Sequence, residues 1–261
     1  MHLNLNRELN LVHQWIKANK LKLNINKTTY ILFQNRSVHN VMPPLTLDNH
    51  LITRVQQAKF LGLYIDENLN WNYHINEVCL KLSKICGILY RVRNELTMES
   101  MLNIYYTLCY PHLIYCAGIW SCTWPSFLNK LKVSQNKIVR CMLYRSKFDS
   151  VSDAYPLLNI FNFDHIKNYF SLLLIFKNIK TCNEQRIFNY VENVRTTRGS
   201  NVNLVCPHFH TNLYNNSILC HGSRLWNSLP LDIKNNASTC NMHTFKFIVK
   251  KYLLNCQRLN V

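Results

Sequence analysis

The chain has 261 residues, with 30 Lys+Arg against 13 Asp+Glu and a formal net charge of +17. An apolar share of 48% excludes a disordered chain, and 5 Gly with 7 Pro are too few for a collagen-like, linker-rich or many-turned all-β chain. Uncharged apolar runs such as Phe170 to Phe176 fall far short of the roughly 18 residues of a membrane span, and the charge favours a polyanionic partner, nucleic acid ahead of an anionic membrane.

Leu5, Leu9, Val12 and Trp15-Ile16 recur at helical spacing and predict a first helix that stops near Asn19. Thr28 to Phe33 is β-branched and aromatic and reads as a strand. Pro43-Pro44 marks a loop, and Leu45-Thr46-Leu47, Asp48-Asn49-His50 and Leu51-Ile52 read as a hairpin with an Asx-type turn. Lys59 to Ile65 predicts a further strand, closed by Asp66-Glu67-Asn68.

After Trp71 the hydrophobic period lengthens from 2 to 3.6. Residues 72–94 give the clearest helix. Residues 97–121 predict two helical pieces split at Pro111, because an internal proline removes a hydrogen bond and clashes with the preceding turn. Residues 125–145 predict a helix with Pro125 in its first turn. Shorter helices are expected at 152–158, 163–180 and 184–192, then a polar, irregular span over 194–216. A last helix at about 242–256 carries Phe245, Ile248, Val249, Tyr252 and Leu253 on one face.

Three segments carry a resemblance. Trp15 to Thr28 leads into Tyr30-Ile31-Leu32-Phe33. Lys59-Phe60-Leu61-Gly62-Leu63-Tyr64-Ile65-Asp66 is followed by Leu69-Asn70-Trp71 and His74-Ile75. Gly222-Ser223-Arg224-Leu225-Trp226-Asn227-Ser228-Leu229-Pro230 precedes Phe245-Lys246. In this order they resemble the C-terminal half of reverse transcriptases from non-LTR retrotransposons of the jockey-like kind, over nearly the whole chain.

That resemblance implies an α+β, mostly α fold. Residues 1–71 would be a palm remnant with a primer-grip hairpin, 72–147 a helical thumb-like region, and 148–261 a helical C-terminal region. It aligns Lys27 with the motif D lysine, which lies near the incoming triphosphate, and Phe60, Leu61 and Gly62 with the primer grip that holds the primer end. It implies an RNA/DNA template–primer duplex as partner, with no membrane and no small-molecule substrate, and a nuclear location. Mg²⁺ is implied for full-length members, held by palm aspartates, one of them in an Ala-Asp-Asp hairpin. No Asp-Asp pair occurs here. The expectation is therefore a truncated chain that binds no metal cofactor and is inactive alone.

The residues themselves leave other readings open. Lys27 also suits a solvated turn, and Phe60-Leu61-Gly62 a buried strand in which Gly62 marks a bulge or close approach. Asp66 and Glu67 are expected to shape a turn and not to bind metal. Cys206, His208, His210, Cys220 and His221 offer soft zinc ligands, but their spacing fits no common zinc module. The 11 cysteines are scattered with no Cys-x-x-Cys, and residues 1–10 lack a secretory apolar stretch. Reduced thiols used as small buried groups are expected. Trp226 to Pro230 is expected to pack a helix end, with Pro230 stopping it.

On the 72–94 helix, Ile75, Val78, Cys79, Leu82, Ile85, Cys86, Leu89 and Val92 fall within an arc of about 140°. Lys81, Lys84 and Arg91 lie opposite, beside Glu77, with Ile88 as an apolar intruder. This stripe is either a solvated back or a surface for nucleic-acid backbone. A basic, non-catalytic nucleic-acid-binding module without polymerase history, with or without zinc stabilisation, is the alternative function, and a zinc-stabilised interaction domain built on the cysteine–histidine cluster is a third.

Overall fold

The first helix, α1 (His2–Ala18), ends where Lys20 turns into the left-handed region at φ 56°. The structure is a computed structural model that describes residues 2–33, 44–48, 50–180, 188, 202–207 and 212–259. Its contacts separate two compact units, Met1–His74 and Ile75–Val261.

In the first unit, α1 turns Leu9, His13 and Ile16 inward and leaves Leu5, Val12 and Trp15 exposed. The helix forms as the spacing predicts, but only part of its apolar set finds apolar neighbours. Those neighbours belong to a small core of Leu45, Leu47 and Ile52, closed by Leu9, Leu23 and Tyr30. The expected 28–33 strand contracts to β1 (Thr29–Tyr30) because a 3₁₀ turn at Ile25–Lys27 precedes it. The 45–52 hairpin forms from β2 (Thr46–Leu47) and β3 (His50–Leu51), paired Thr46↔Leu51 and Leu47↔His50. Its turn residue Asp48 takes φ 52° and lies 3.3 Å from Lys17 Nζ. That ammonium holds the Asp48 carboxyl below its ordinary range. β4 (Thr53–Arg54) runs parallel to β1.

The expected single strand at 59–65 is corrected to a hairpin, β5 (Gln57–Phe60) and β6 (Leu63–Asp66), paired from Gln57↔Asp66 to Phe60↔Leu63. Leu61 and Gly62 are its two turn residues, with φ 46° and 86°. Two positive φ values define a type I′ turn, whose twist matches that of the flanking strands.

The second unit is helical. The helix α2 runs from Asn72 to Val92, straddling the division between the units. From Ile75 onward it buries Ile75, Val78, Leu82, Ile85 and Leu89, as the period predicts, whereas Val92 of the same arc is exposed at the helix end. Next, α3 (Met98–Ile104), a π turn (Tyr105–Cys109) and α4 (Tyr110–Ile114) form one continuous path. The expected break at Pro111 is corrected. The Tyr110 N–H donates to Tyr105 O, and this widened turn precedes the proline that lacks an N–H of its own. The chain breaks instead at Cys116, left-handed at φ 53°, before α5 (Ala117–Trp120).

Proline opens α6 (Pro125–Met142), and α7 (Ala154–Leu157) and α8 (Phe163–Lys180) follow. After α9 (Asn212–Asn215) and a π turn (Ile218–Gly222) come α10 (Ser223–Asn227), α11 (Leu231–Thr239) and α12 (Met242–Leu259). The helix expected at 184–192 and most of the polar span after it lie outside the described residues. Pro230 does not stop α10, which ends at Asn227; its carbonyl accepts from the Ile233 N–H and so opens α11.

One core joins these helices. Phe176 stacks on Phe245 at 4.1 Å, and Trp120 on Phe163 at 6.0 Å. Trp226 is fully buried and donates from Nε1 to Val202 O at 2.9 Å. Buried Gln135 donates to both Tyr105 Oη and Phe161 O at 2.8 Å. Buried Gln257 accepts from the Asn162 N–H and donates to Ile160 O, tying α12 to the loop before α8. The Gln257 amide is bonded at both ends and fixes the register of the helical core there, whereas Gln135 uses only its donor end and leaves its buried Oε1 without a partner.

Candidate nucleic-acid interface

The β5–β6 hairpin presents apolar groups at its tip. Phe60 is 61% exposed and Leu61 74% exposed, and Gly62 is exposed between them and the second strand. The buried-strand alternative is therefore corrected. Behind the tip the hairpin is braced. Leu63 is buried, Tyr64 packs edge-on against Tyr73 at 5.0 Å, and the Tyr64 N–H points to Nδ1 of buried His74. Lys59 Nζ lies 5.5 Å from the Tyr64 ring centroid.

Its base is fixed by carboxylates, consistent with the turn expected at Asp66-Glu67. The Asp66 carboxylate accepts N–H bonds from Asn68 at 3.0 Å, Asn70 at 3.3 Å and Trp71 at 3.1 Å. These bonds hold Leu69 and Trp71 in the left-handed region. Glu67 pairs with Arg54 at 3.1 Å.

Lys27 sits on the exposed 3₁₀ turn before β1, where Asn24 Oδ1 accepts its backbone N–H. β1 pairs with β4, and the Val55 N–H reaches Tyr30 O just before β5 begins. Lys27 and the hairpin thus belong to the same unit, linked through the β1–β4 ladder.

In the second unit Lys81, Lys84 and Arg91 are all exposed on the back of α2. Among the described residues none of the three forms a carboxylate ion pair. Ile88 lies exposed between them. Burial, and then the neighbouring Lys81 charge, keep the His112 imidazole below its ordinary pKa.

Of the cysteine–histidine cluster, His208 and His210 lie outside the described residues. Cys206 is exposed and within 3.5 Å of Asn227 Nδ2, whereas buried Cys220 donates its thiol to Pro207 O at 3.3 Å. His221 is pushed down to about 4 by burial, reinforced by Lys167 and Arg224. Among the described residues no three His, Cys, Asp or Glu side chains gather to hold a metal ion. No helix of the described residues is long and apolar enough to cross a membrane.

Sequence reasoning missed that Leu61 occupies a strained, exposed turn position. The Leu-Gly pair inside an alternating stretch was the available signal, since a two-residue hairpin turn needs positive φ at both positions.

Comparison with known proteins bears on this geometry. The chain is 27% identical over 135 residues to the RNA-directed DNA polymerase from mobile element jockey of Drosophila melanogaster, and 24% identical over 136 residues to that of Drosophila funebris. Each match covers 51% of this chain and 14% of the relative. It is also 27% identical over 143 residues, 54% of this chain and 14% of the relative, to the retrovirus-related Pol polyprotein from type-1 retrotransposable element R1 of Bradysia coprophila. No protein-family model and no solved structure matches.

Over about half its length the chain is thus a low-identity homologue of mobile-element RNA-directed DNA polymerases. More particularly, it is similar to those of non-LTR, jockey-like retrotransposons, and the stretch it matches is about a seventh of their length.

Proposed function

We propose that this chain is a template–primer-holding part of a non-LTR reverse transcriptase. The β5–β6 tip would contact the primer end, and the α2 stripe the duplex backbone. The observation that carries this reading is the tip itself. A folding-optimised I′ turn uses Asn-Gly or Asp-Gly. Here an exposed leucine holds φ 46°, which costs strain without gaining burial. Local rules broken in this way are expected where a surface contacts something else. The exposed Leu5, Val12 and Trp15 stripe on α1 suits packing against further polymerase polypeptide.

Lys27 would approach a nucleotide triphosphate only when the aspartate-bearing part of a polymerase is supplied. Mg²⁺ belongs to that part, where it would stabilise the attacking and leaving oxygens. With no Asp-Asp pair in the sequence, the chain alone would bind nucleic acid in the nucleus without extending a primer.

A primer carrying a photoreactive 3′-terminal nucleotide, annealed to an RNA template, tests the assignment. Crosslinks should map to residues 57–66, and Phe60→Ala should abolish them in a folded chain. Crosslinks confined to α8–α12 would overturn the assignment. Incorporation of labelled nucleotide by the pure chain, with Mg²⁺ or Mn²⁺, would overturn its inactivity.

A further inference from the structure

A second basic surface lies on a different flank of α2. At about 100° per residue, Tyr90 is a quarter-turn or more from each stripe residue and borders the buried face. There α2 and the 3₁₀ turn after it (Arg93–Glu95) meet the C-terminal half of α6 and the loop that follows. A cleft of about 400 Å³ opens between them, lined by Tyr90, Arg93, Lys137, Arg140, Arg145 and Lys147. Its remaining lining is Cys86, Val133 and Cys141, so five cations face it and no carboxylate does.

The cations are held in different ways. Arg145 is paired with Asp153, and Arg140 donates to Asp149 O at 2.8 Å. The Arg93 guanidinium lies 4.3 Å from the Tyr90 ring centroid and 4.8 Å from that of Tyr144, whose hydroxyl donates to Arg93 O. Arg93 is therefore fixed between two rings. Lys137 and Lys147 are exposed at the rim. The rings are accessible too, with Tyr90 62% and Tyr144 52% exposed.

Arg145 is neutralised by Asp153, but Arg93, Lys137, Arg140 and Lys147 form no carboxylate ion pair among the described residues, and like charges gathered in this way favour a polyanion. Accessible rings beside them add a requirement for flat apolar faces. A duplex hides its base faces inside the stack, whereas a single strand offers both phosphates and bases. We propose that this cleft binds single-stranded nucleic acid, with phosphates at Lys137, Lys147 and Arg93 and a base stacked on Tyr90. The partner's class rests on the nucleic-acid reading above. The location and the single-strand preference rest on the cleft.

The test uses the full chain, a short oligothymidylate, a blunt RNA–DNA duplex and phosphatidylserine vesicles, each titrated at several salt concentrations. K137Q/K147Q should lower the oligothymidylate salt slope by about 1.4, near 0.7 for each lost phosphate contact to a single strand. Tyr90→Ala should weaken oligothymidylate binding roughly five- to a hundredfold, and Tyr90→Phe should restore it. K81Q/K84Q/R91Q should lower the duplex slope more than the oligothymidylate slope, the reverse of K137Q/K147Q. An unmoved oligothymidylate slope in folded K137Q/K147Q, equal losses on duplex and single strand, or losses confined to vesicles would each overturn the inference. Failure of the cleft variants while the stripe still governs duplex binding would remove this inference alone. If the wild-type chain binds neither nucleic acid, the broader reading fails with it.

Discussion

Replacing Leu61 with asparagine should make the β5–β6 hairpin more stable and its nucleic-acid binding weaker. Leu61 sits at φ 46°, where an L-residue without a short polar side chain pays roughly 1–2 kcal/mol, and asparagine recovers about 1 kcal/mol of that. The leucine is 74% exposed, so the packing lost is a small fraction of its burial energy, about 0.5 kcal/mol. The net gain is therefore about 0.5 kcal/mol or slightly more. Backbone amides in residues 57–66 should exchange with deuterium about two- to threefold more slowly, through rarer local opening. Gly62→Ala places a Cβ at φ 86° and should speed the same exchange. Peptide-resolved exchange on the full chain measures both. If Leu61→Asn opens the hairpin, the I′ turn argument is wrong. If it firms the hairpin and heteroduplex affinity is unchanged, the tip is not a contact surface.

Asp66→Ala removes the acceptor of three N–H bonds and should cost about 2 kcal/mol, read as a lower urea midpoint with an unchanged slope. Gln135→Leu leaves the Tyr105 hydroxyl and the Phe161 carbonyl without their shared donor inside the core. About 2–4 kcal/mol should be lost by the same measurement. His221 has its folded pKa depressed to about 4, so the unfolded chain binds its proton first. Its contribution is complete above the ordinary value of 6.5 and is lost as pH falls from there to about 4. A folded His221→Leu chain should therefore show a shallower fall of stability across that window than wild type.

What the sequence revealed depended on how many neighbours each pattern required. The apolar arc of α2 was legible because a 3.6-residue period over several turns reports burial directly. A hairpin at Phe60-Leu61-Gly62 came only from the resemblance, and the residue pattern read as one strand, because Gly62 was the sole turn signal inside an alternating run and the turn is set by the paired strands on either side. Pro111 misled for a related reason. A proline forbids only the next regular hydrogen bond, and the π turn at Tyr105–Cys109 accommodates that loss without breaking the path. On α1 the periodicity named apolar residues without saying which had partners: Leu9 packs on the Leu45, Leu47 and Ile52 core, whereas Leu5, Val12 and Trp15 are exposed. The stripe of Lys81, Lys84 and Arg91 was readable from spacing. The cleft beside Tyr90 was not, because Arg93, Lys137 and Lys147 are brought together only by packing of α2 against α6.

Salt-dependent binding of an RNA–DNA heteroduplex by the full chain and by K81Q/K84Q/R91Q tests the central claim most directly. The account predicts weaker binding for unrelated sequences alike, with a salt slope lower by up to about 3, near one per lost phosphate contact. A folded triple variant with wild-type affinity and slope would contradict it and leave the stripe a solvated helix back.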